Sequence, residues 1–428
     1  MASRGDIDFI KVQPTLYHNW IKIGFEEALK KAPKYVKHKT KGLALQGKYP
    51  VVDQGDTLIA GYIDDEKSIY KGDTPVIIFG DHTRHIKYID FTFAVGADGT
   101  KILKPSSILN EKFYYYYLKS LKIPDLGYSR HFKILKEVQV PLPPRPEQDR
   151  IVAKVDILMA QVSTMQKSLE RIPQLLKDFR QQVLTQAVTG KLTEEWREGK
   201  ELEKWNLVFL KDITNKIGSG STPKGGSKNY KKTGIPLVRS MNIHFNGIKS
   251  DGLAFLDKKQ AEKLKNVEIH KNDILLNITG ASIGRVCIAE DYIVGGRVNQ
   301  HVNIIRLNEG ISPKYVNMYL SSSQIQNYIF NENYGVTRQA LTKTQTQNLQ
   351  INLPQKAEQL EIVQRVDFLL ATANEINKKY KILKNKIDSL PQAILHKAFK
   401  GELVEQLPTD GDAKDLLREI EELRKEKI

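Results

Sequence analysis

A stretch near the middle of this chain is written again near its end, 211 residues later and without a gap. Glu147, Gln148, Ile151, Val152, Val155, Asp156 and Leu158 return as Glu358, Gln359, Ile362, Val363, Val366, Asp367 and Leu369 (358 − 147 = 211). The match runs from Leu142-Pro143 against Leu353-Pro354 to Leu184, Ala187, Gly190 and Leu192 against Leu395, Ala398, Gly401 and Leu403. A repeat of this length constrains the fold more than any local pattern, because two copies of one unit share one architecture.

Both copies carry a helical stripe. Val155, Leu158, Val162, Met165, Leu169, Ile172, Leu176, Phe179 and Val183 alternate spacings of three and four, the seam of a coiled coil. The second copy answers with Val366, Leu369, Ala373, Ile376, Tyr380, Leu383, Ile387, Leu390 and Ile394. Each segment follows a proline-bearing stop and ends near a glycine, Gly190 or Gly401. A helix of about 42 residues is then expected in each, roughly 60 Å long. Pro173 and Pro391 fall inside the pattern and are each expected to kink it. Equal length and phase predict that the two stripes bury each other, antiparallel, about a pseudo-two-fold axis.

The regions between the helices repeat with a drifting offset, as insertions in loops produce. Trp20 matches Trp205 at 185, Asp73 and Gly80 match Asp273 and Gly280 at 200, and Lys112 and Phe113 match Lys314 and Tyr315 at 202. Ser129-Arg130 matches Thr337-Arg338 at 208. Short apolar runs punctuated by Gly, Asn and Asp predict mixed α and β structure here. The expected fold class is α+β: two mixed domains, 1–142 and 193–353, separated by repeated helices at 143–192 and 354–403, with a helical tail at 404–428. The aromatic run Phe113 to Tyr117 lies at helical spacing and reads as core, not as a base-stacking platform.

Lys+Arg 66 against Asp+Glu 50 gives a net charge of +16 over 428 residues, which favours a polyanionic partner. One cysteine, Cys287, excludes an internal disulfide framework. No run of about 18 apolar residues occurs, so a cytoplasmic chain without a membrane span is expected. The glycines of Gly218 to Gly226 miss the spacing of a phosphate loop, His82 and His85 lack acidic or cysteine partners for a metal, and no nucleophile elbow occurs. No enzyme, metal or cofactor site is expected in this chain.

What remains are polar turns after the strands. Arg, Asn and Gln read base edges, while Ser, Thr and Lys hold phosphates. On that ground the expected DNA-binding residues are Asp81, His82, Thr83, Arg84 and Arg130 in the first copy. In the second they are Lys224, Arg239, Asn242, Thr279, Ser282, Arg285, Arg297, Asn299, Gln300 and Arg338. The tips differ where the frames match, Asp81-His82-Thr83-Arg84 standing against Ala281-Ser282-Ile283-Gly284, so two readers of different sequences are expected. On the residues alone, a scaffold that binds only proteins stays open as the alternative.

With its repeated Glu-Gln-x-x-Ile-Val, its Ala-x-x-Gly-x-Leu helix ends, Gly-Ser-Thr-Pro-Lys at 220–224 and the run Asp273 to Arg285, the chain resembles the specificity subunit of type I restriction-modification systems. The first copy lacks a Gly-Ser-Thr-Pro segment. The resemblance implies two target recognition domains that read the halves of a bipartite duplex-DNA site, with the helices setting the gap. It also implies two modification subunits that bring S-adenosylmethionine, and restriction subunits that bring ATP, Mg and cleavage.

Overall fold

The computed structural model describes residues 19–127, 129–223, 225–332 and 340–425. Two compact units emerge: one joins the chain up to Glu170 with the part from Ile382 onward, and the other runs from Arg171 to Lys381. Their boundaries are spaced like the sequence repeat (382 − 171 = 211).

In the first unit, a four-stranded sheet runs in the order Leu29–Lys30, Thr100–Pro105, Val76–Gly80, Ile86–Ile89. A second sheet holds Lys37–His38, Ala94–Gly96, Tyr49–Val52 and Gly61–Ile63 in that order. The strand Val76–Gly80 is buried throughout and divides two cores. Ile77 and Phe79 face the helix-lined core, with Phe113, Tyr114, Ile151 and Val155. Val76 and Ile78 face a smaller core with Val52, Phe93 and Val95. The two faces follow from the strand period of two.

The second unit repeats the plan. Its four-stranded sheet runs Thr214–Ser219, Val302–Leu307, Ile274–Asn277, Val286–Ile288, beside a three-stranded sheet of Ala254–Leu256, Ile235–Val238 and Arg297–Val298. Ile274 and Leu276 face the helix-lined core and Leu275 the smaller one. Ile77 lies opposite Leu103 and Ile274 opposite Ile305, on strands that match at 202 (305 − 103 = 202), so with faces matched Ile77 is equivalent to Ile274, an offset of 197. The offset of 200 expected from Gly80 and Gly280 is thereby corrected: it differs from 197 by an odd number of residues, which would turn every side chain of this strand to the other face. The offsets of 185, 202 and 211 hold, while Thr337-Arg338, matched at 208, lies outside the described residues. Ile21–Gly24 pairs with Gln139–Leu142 as Asn206–Phe209 pairs with Gln350–Leu353, with Ile21 opposite Leu142 and Asn206 opposite Leu353. Those registers reproduce offsets of 185 and 211 together (206 − 21 = 185, 353 − 142 = 211).

The repeated Glu-Gln pair explains why this motif is written twice. Trp20 Nε1 donates to Glu147 Oε1 at 3.0 Å, and Trp205 Nε1 donates to Glu358 Oε2 at 2.8 Å. Gln148 Oε1 accepts from Asn110 N at 2.8 Å while its Nε2 donates to Pro143 O; Gln359 Oε1 accepts from Ser312 N at 2.9 Å while its Nε2 donates to Pro354 O. Each glutamine thus joins its long helix to the start of the helix Glu111–Ser120 or Pro313–Ser321. Lys112 with Asp156 and Lys314 with Asp367 add matching ion pairs, both at 2.6 Å. The aromatic run lies on the helix Glu111–Ser120, with Phe113, Tyr114 and Tyr117 buried, as the helical spacing predicts.

The long segments are helical, but not alike. The first divides at Arg171 into Arg145–Glu170 and Ile172–Val188, with Pro173 in the first turn of the second piece. A proline there gives up an N–H that a helix start leaves unused. The other runs unbroken from Lys356 to Phe399 with Pro391 inside it. Both prolines are expected to kink their segments; only the one at 173 coincides with a division.

Within each unit the helices run antiparallel. Ile151 and Val155 share a core with Leu395, Ala398 and Phe399 in the first. Val183, Ala187 and Val188 share one with Ile362, Val363 and Val366 in the second. The hydrogen bonds Gln166 to Asp388 and Arg180 to Asn374 give the same register, since both number pairs sum to 554. Val155, Val162, Leu169, Val366 and Ile387 are buried, and Leu158, Ile172, Leu176, Leu369 and Tyr380 partly so. Met165, Ile376 and Leu383, expected in the seam, are 45%, 46% and 47% exposed. Val162 and Leu169 on either side of Met165, and Ala373 and Ile387 on either side of Ile376 and Leu383, stay buried, so the covered stripe is narrower than the expected seam. No described helix is long and apolar enough to cross a membrane.

Candidate nucleic-acid interface

Strand direction gathers the polar turns at one end of each unit. In the second, Thr214–Ser219 and Ile274–Asn277 both run antiparallel to Val302–Leu307, with Ser219 opposite Asn303 and Asn277 opposite Val302. The turns that follow the first two strands therefore emerge beside residues 299–301. Ile235–Val238 runs parallel to Arg297–Val298, which brings the turn at 239–242 to the same end. Cross-turn bonds fix the cluster. Gly220 N donates to Asn299 O and Asn299 N to Val238 O, both at 3.1 Å, and Asn277 Nδ2 donates to Ser240 O at 2.8 Å and Ser282 Oγ at 3.1 Å.

Thr222, Thr279, Ser282, Arg285 and Gln300 reach the surface of this cluster. The Arg285 side chain has no partner among the described residues. Arg239 is half engaged: it donates to Gly252 O and lies 5.3 Å from the Tyr230 ring centroid.

Four of the expected contacts are corrected by burial. Arg297 is 5% exposed and spends its guanidinium on Ala261 O, Gly295 O, Gly296 O and Glu268, at 2.6 to 3.0 Å. Asn242 is fully buried, its side chain accepting from Arg239 N at 3.1 Å and donating to Lys249 O at 3.0 Å. Asn299 is 5% exposed and accepts from His301 N at 3.1 Å. Asp81 is 2% exposed; its carboxylate accepts from Phe132 N at 2.8 Å. These side chains satisfy turn backbone that would otherwise be buried without partners. They hold the turns in shape, and a base edge cannot reach them without unpacking.

In the first unit the corresponding turns centre on Gln54, which no sequence pattern singled out. Its Oε1 accepts from His82 N at 3.0 Å and its carbonyl accepts from Thr83 Oγ1. Buried Lys87 donates to Asp53 O at 2.7 Å and Thr57 O at 2.6 Å, and burial pushes its pKa down against the pull of Asp53. Arg84 takes a left-handed backbone, φ 63°, and its side chain is bound by Ile123 O at 3.2 Å and Asp125 at 2.7 Å. An open cavity of about 460 Å³ lies against Thr83, Arg84, His85 and Lys119. Arg130 is exposed. Lys224 and Arg338 lie outside the described residues.

Comparison with known proteins agrees with this duplicated frame. Residues 27–174 and 202–385 match the family described as Type I restriction modification DNA specificity domain. The Type I restriction enzyme EcoBI specificity subunit of Escherichia coli is 34% identical over 69% of this chain and 66% of its own length. The EcoKI specificity subunit of Escherichia coli (strain K12) is 30% identical over 71% and 68%. The match therefore spans about two thirds of these relatives.

Two solved structures share the fold. A chain from a study of complex assembly and conformational transition of the type I R-M system has a TM-score of 0.64 at 19% identity, covering 91% of this chain and all of that one. The HsdS subunit from Thermoanaerobacter tengcongensis has a TM-score of 0.58 at 20% identity, covering 92% and 99%. Two matches to the family's domain, together covering most of the chain, make this chain a member of the type I restriction-modification DNA specificity family.

Proposed function

We propose that this chain is a non-catalytic reader of duplex DNA that recognises a bipartite site, one half by the turn cluster of each unit, and scaffolds the subunits that act on the DNA. The observation that carries this reading is a frame repeated in two units with dissimilar turns at the same strand ends. Two like frames with different tips suit two different half-sites. The net charge of +16 suits the phosphate backbone, which supplies sequence-independent affinity. In this reading two modification subunits supply S-adenosylmethionine, and restriction subunits supply ATP and Mg-dependent chemistry; the chain itself supplies only recognition and spacing.

The test is to map methylated adenines in cells that carry this chain with its modification subunit. A two-part motif with a fixed internal gap is expected. One contiguous motif, or none, refutes the reading.

A further inference from the structure

Gln300 lies exposed on the turn cluster of the second unit, with both ends of its carboxamide held. Oε1 accepts from Thr222 Oγ1, and Nε2 lies 2.9 Å from His301 Nε2. The other ring nitrogen, His301 Nδ1, lies 2.6 Å from Thr279 Oγ1. An amide nitrogen only donates, so His301 Nε2 must accept from it. That leaves the ring proton on Nδ1, donated to Thr279.

The chain Thr222–Gln300–His301–Thr279 is thus directional, and it rests on firm backbone. His301 N donates to the buried Asn299 side chain at 3.1 Å, and His301 O accepts from Ile278 N at 3.0 Å. We infer that His301 is a positioning residue which sets the polarity of the Gln300 amide toward a base pair. This rests on the DNA-reading function proposed above.

A glutamine reads adenine with its oxygen toward the N6 amino group and its nitrogen toward N7. A freely rotating amide offers these two groups in either order, and half of its orientations oppose the base. Here Thr222 and His301 each take one hydrogen-bonding position of the amide. One N–H and one oxygen lone pair remain, in fixed order. The base pair at this position is then chosen by His301 as much as by Gln300.

The experiment uses the full chain assembled with its modification subunit and measures methylation rates on duplexes carrying each base pair, in turn, at every position of both half-sites. Gln300→Ala should cost about five- to a hundredfold discrimination at one position of one half-site. His301→Ala should relax that same position, and His301→Gln, whose side-chain oxygen can accept from Gln300, should restore it. The other half-site and the gap should stay unchanged throughout. Unaltered discrimination in His301→Ala overturns the inference, as does a general loss of methylation that His301→Gln does not rescue. Absence of any two-part preference in the unsubstituted complex overturns the underlying reading instead.

Discussion

Two glutamates at equivalent places in the repeat should respond unequally to one conservative change. Glu147 and Glu358 are both buried and both accept an indole N–H, but their surroundings differ. Glu147 Oε1 takes the bond from Trp20 and a longer one, 3.4 Å, from Gln406, while its Oε2 is buried without a partner among the described residues. Burial raises the Glu147 pKa from its ordinary 4.5, opposed by those two donors. Glu358 uses both oxygens, accepting from Trp205 at 2.8 Å and Thr193 at 2.7 Å, with Arg197 Nε 3.6 Å away.

Glu147→Gln keeps the Trp20 bond and puts an amide nitrogen where an oxygen already lacked a partner. A change near zero, at most about 1 kcal/mol, is expected at neutral pH. Glu358→Gln sets an amide nitrogen against a donor and removes the charge facing Arg197. One charge-assisted hydrogen bond is lost, about 1.5–3 kcal/mol. The ion pair adds little, because the Arg197 side chain is 33% exposed. A difference of about 2 kcal/mol between the two variants corresponds to roughly 4–8 °C for a unit of this size.

Calorimetry of the full chain measures it. The pH dependence gives an independent arm. The Glu147 carboxyl binds its proton more tightly folded than unfolded, so the stability it contributes is present below pH 4.5 and lost as pH rises through its folded value. Glu147→Gln should therefore gain on the unsubstituted chain between pH 4 and 7. Equal falls for both variants at neutral pH would refute the reasoning, because they would mean that the asymmetry of partners has no energetic consequence.

Three other outcomes are expected. The Cys287 thiol, buried and pushed up to about 12, should resist a thiol reagent until the chain unfolds; stoichiometric labelling under native conditions would contradict its placement. Arg285→Ala should relax only the half-site read by the second unit, by roughly 1–3 kcal/mol, whereas Arg297→Ala should lower the thermal midpoint, since it strips partners from three carbonyls and Glu268. Insertion of one heptad into both long helices, about 10 Å each, should lengthen the gap of the methylation motif, whereas insertion into one alone should abolish methylation; an unchanged gap after matched insertion would contradict the spacing role.

The helices were legible because apolar residues spaced alternately by three and four over nine positions come to one side of the chain only when it is helical. Trp20 was legible as the counterpart of Trp205 because large side chains mark a core. Strand register was not. A shift of one residue keeps the composition of Val76 to Phe79 and exchanges its two faces, so only packing decides between offsets of 200 and 197. The turns misled for a different reason. Arg297, Asn242 and Asn299 are polar residues in polar turns, and sequence does not say whether their partner is backbone or a base. The signal His301 carries, a ring within reach of a neighbouring amide, exists only once the turn at 299–301 is folded.

The second unit is one unbroken stretch of chain, Arg171 to Lys381, inserted between the two parts of the first. That arrangement bears on the order of folding. To close the first unit, the chain must bring Glu170 and Ile382 together across an excursion of 211 residues (381 − 171 + 1 = 211). For a flexible excursion of that length the entropic cost is about 5 kcal/mol. If the inserted stretch folds beforehand, its antiparallel helix ends already hold the two connections side by side, and most of that cost disappears. The half of the protein that is synthesised first should thus be the last to finish folding.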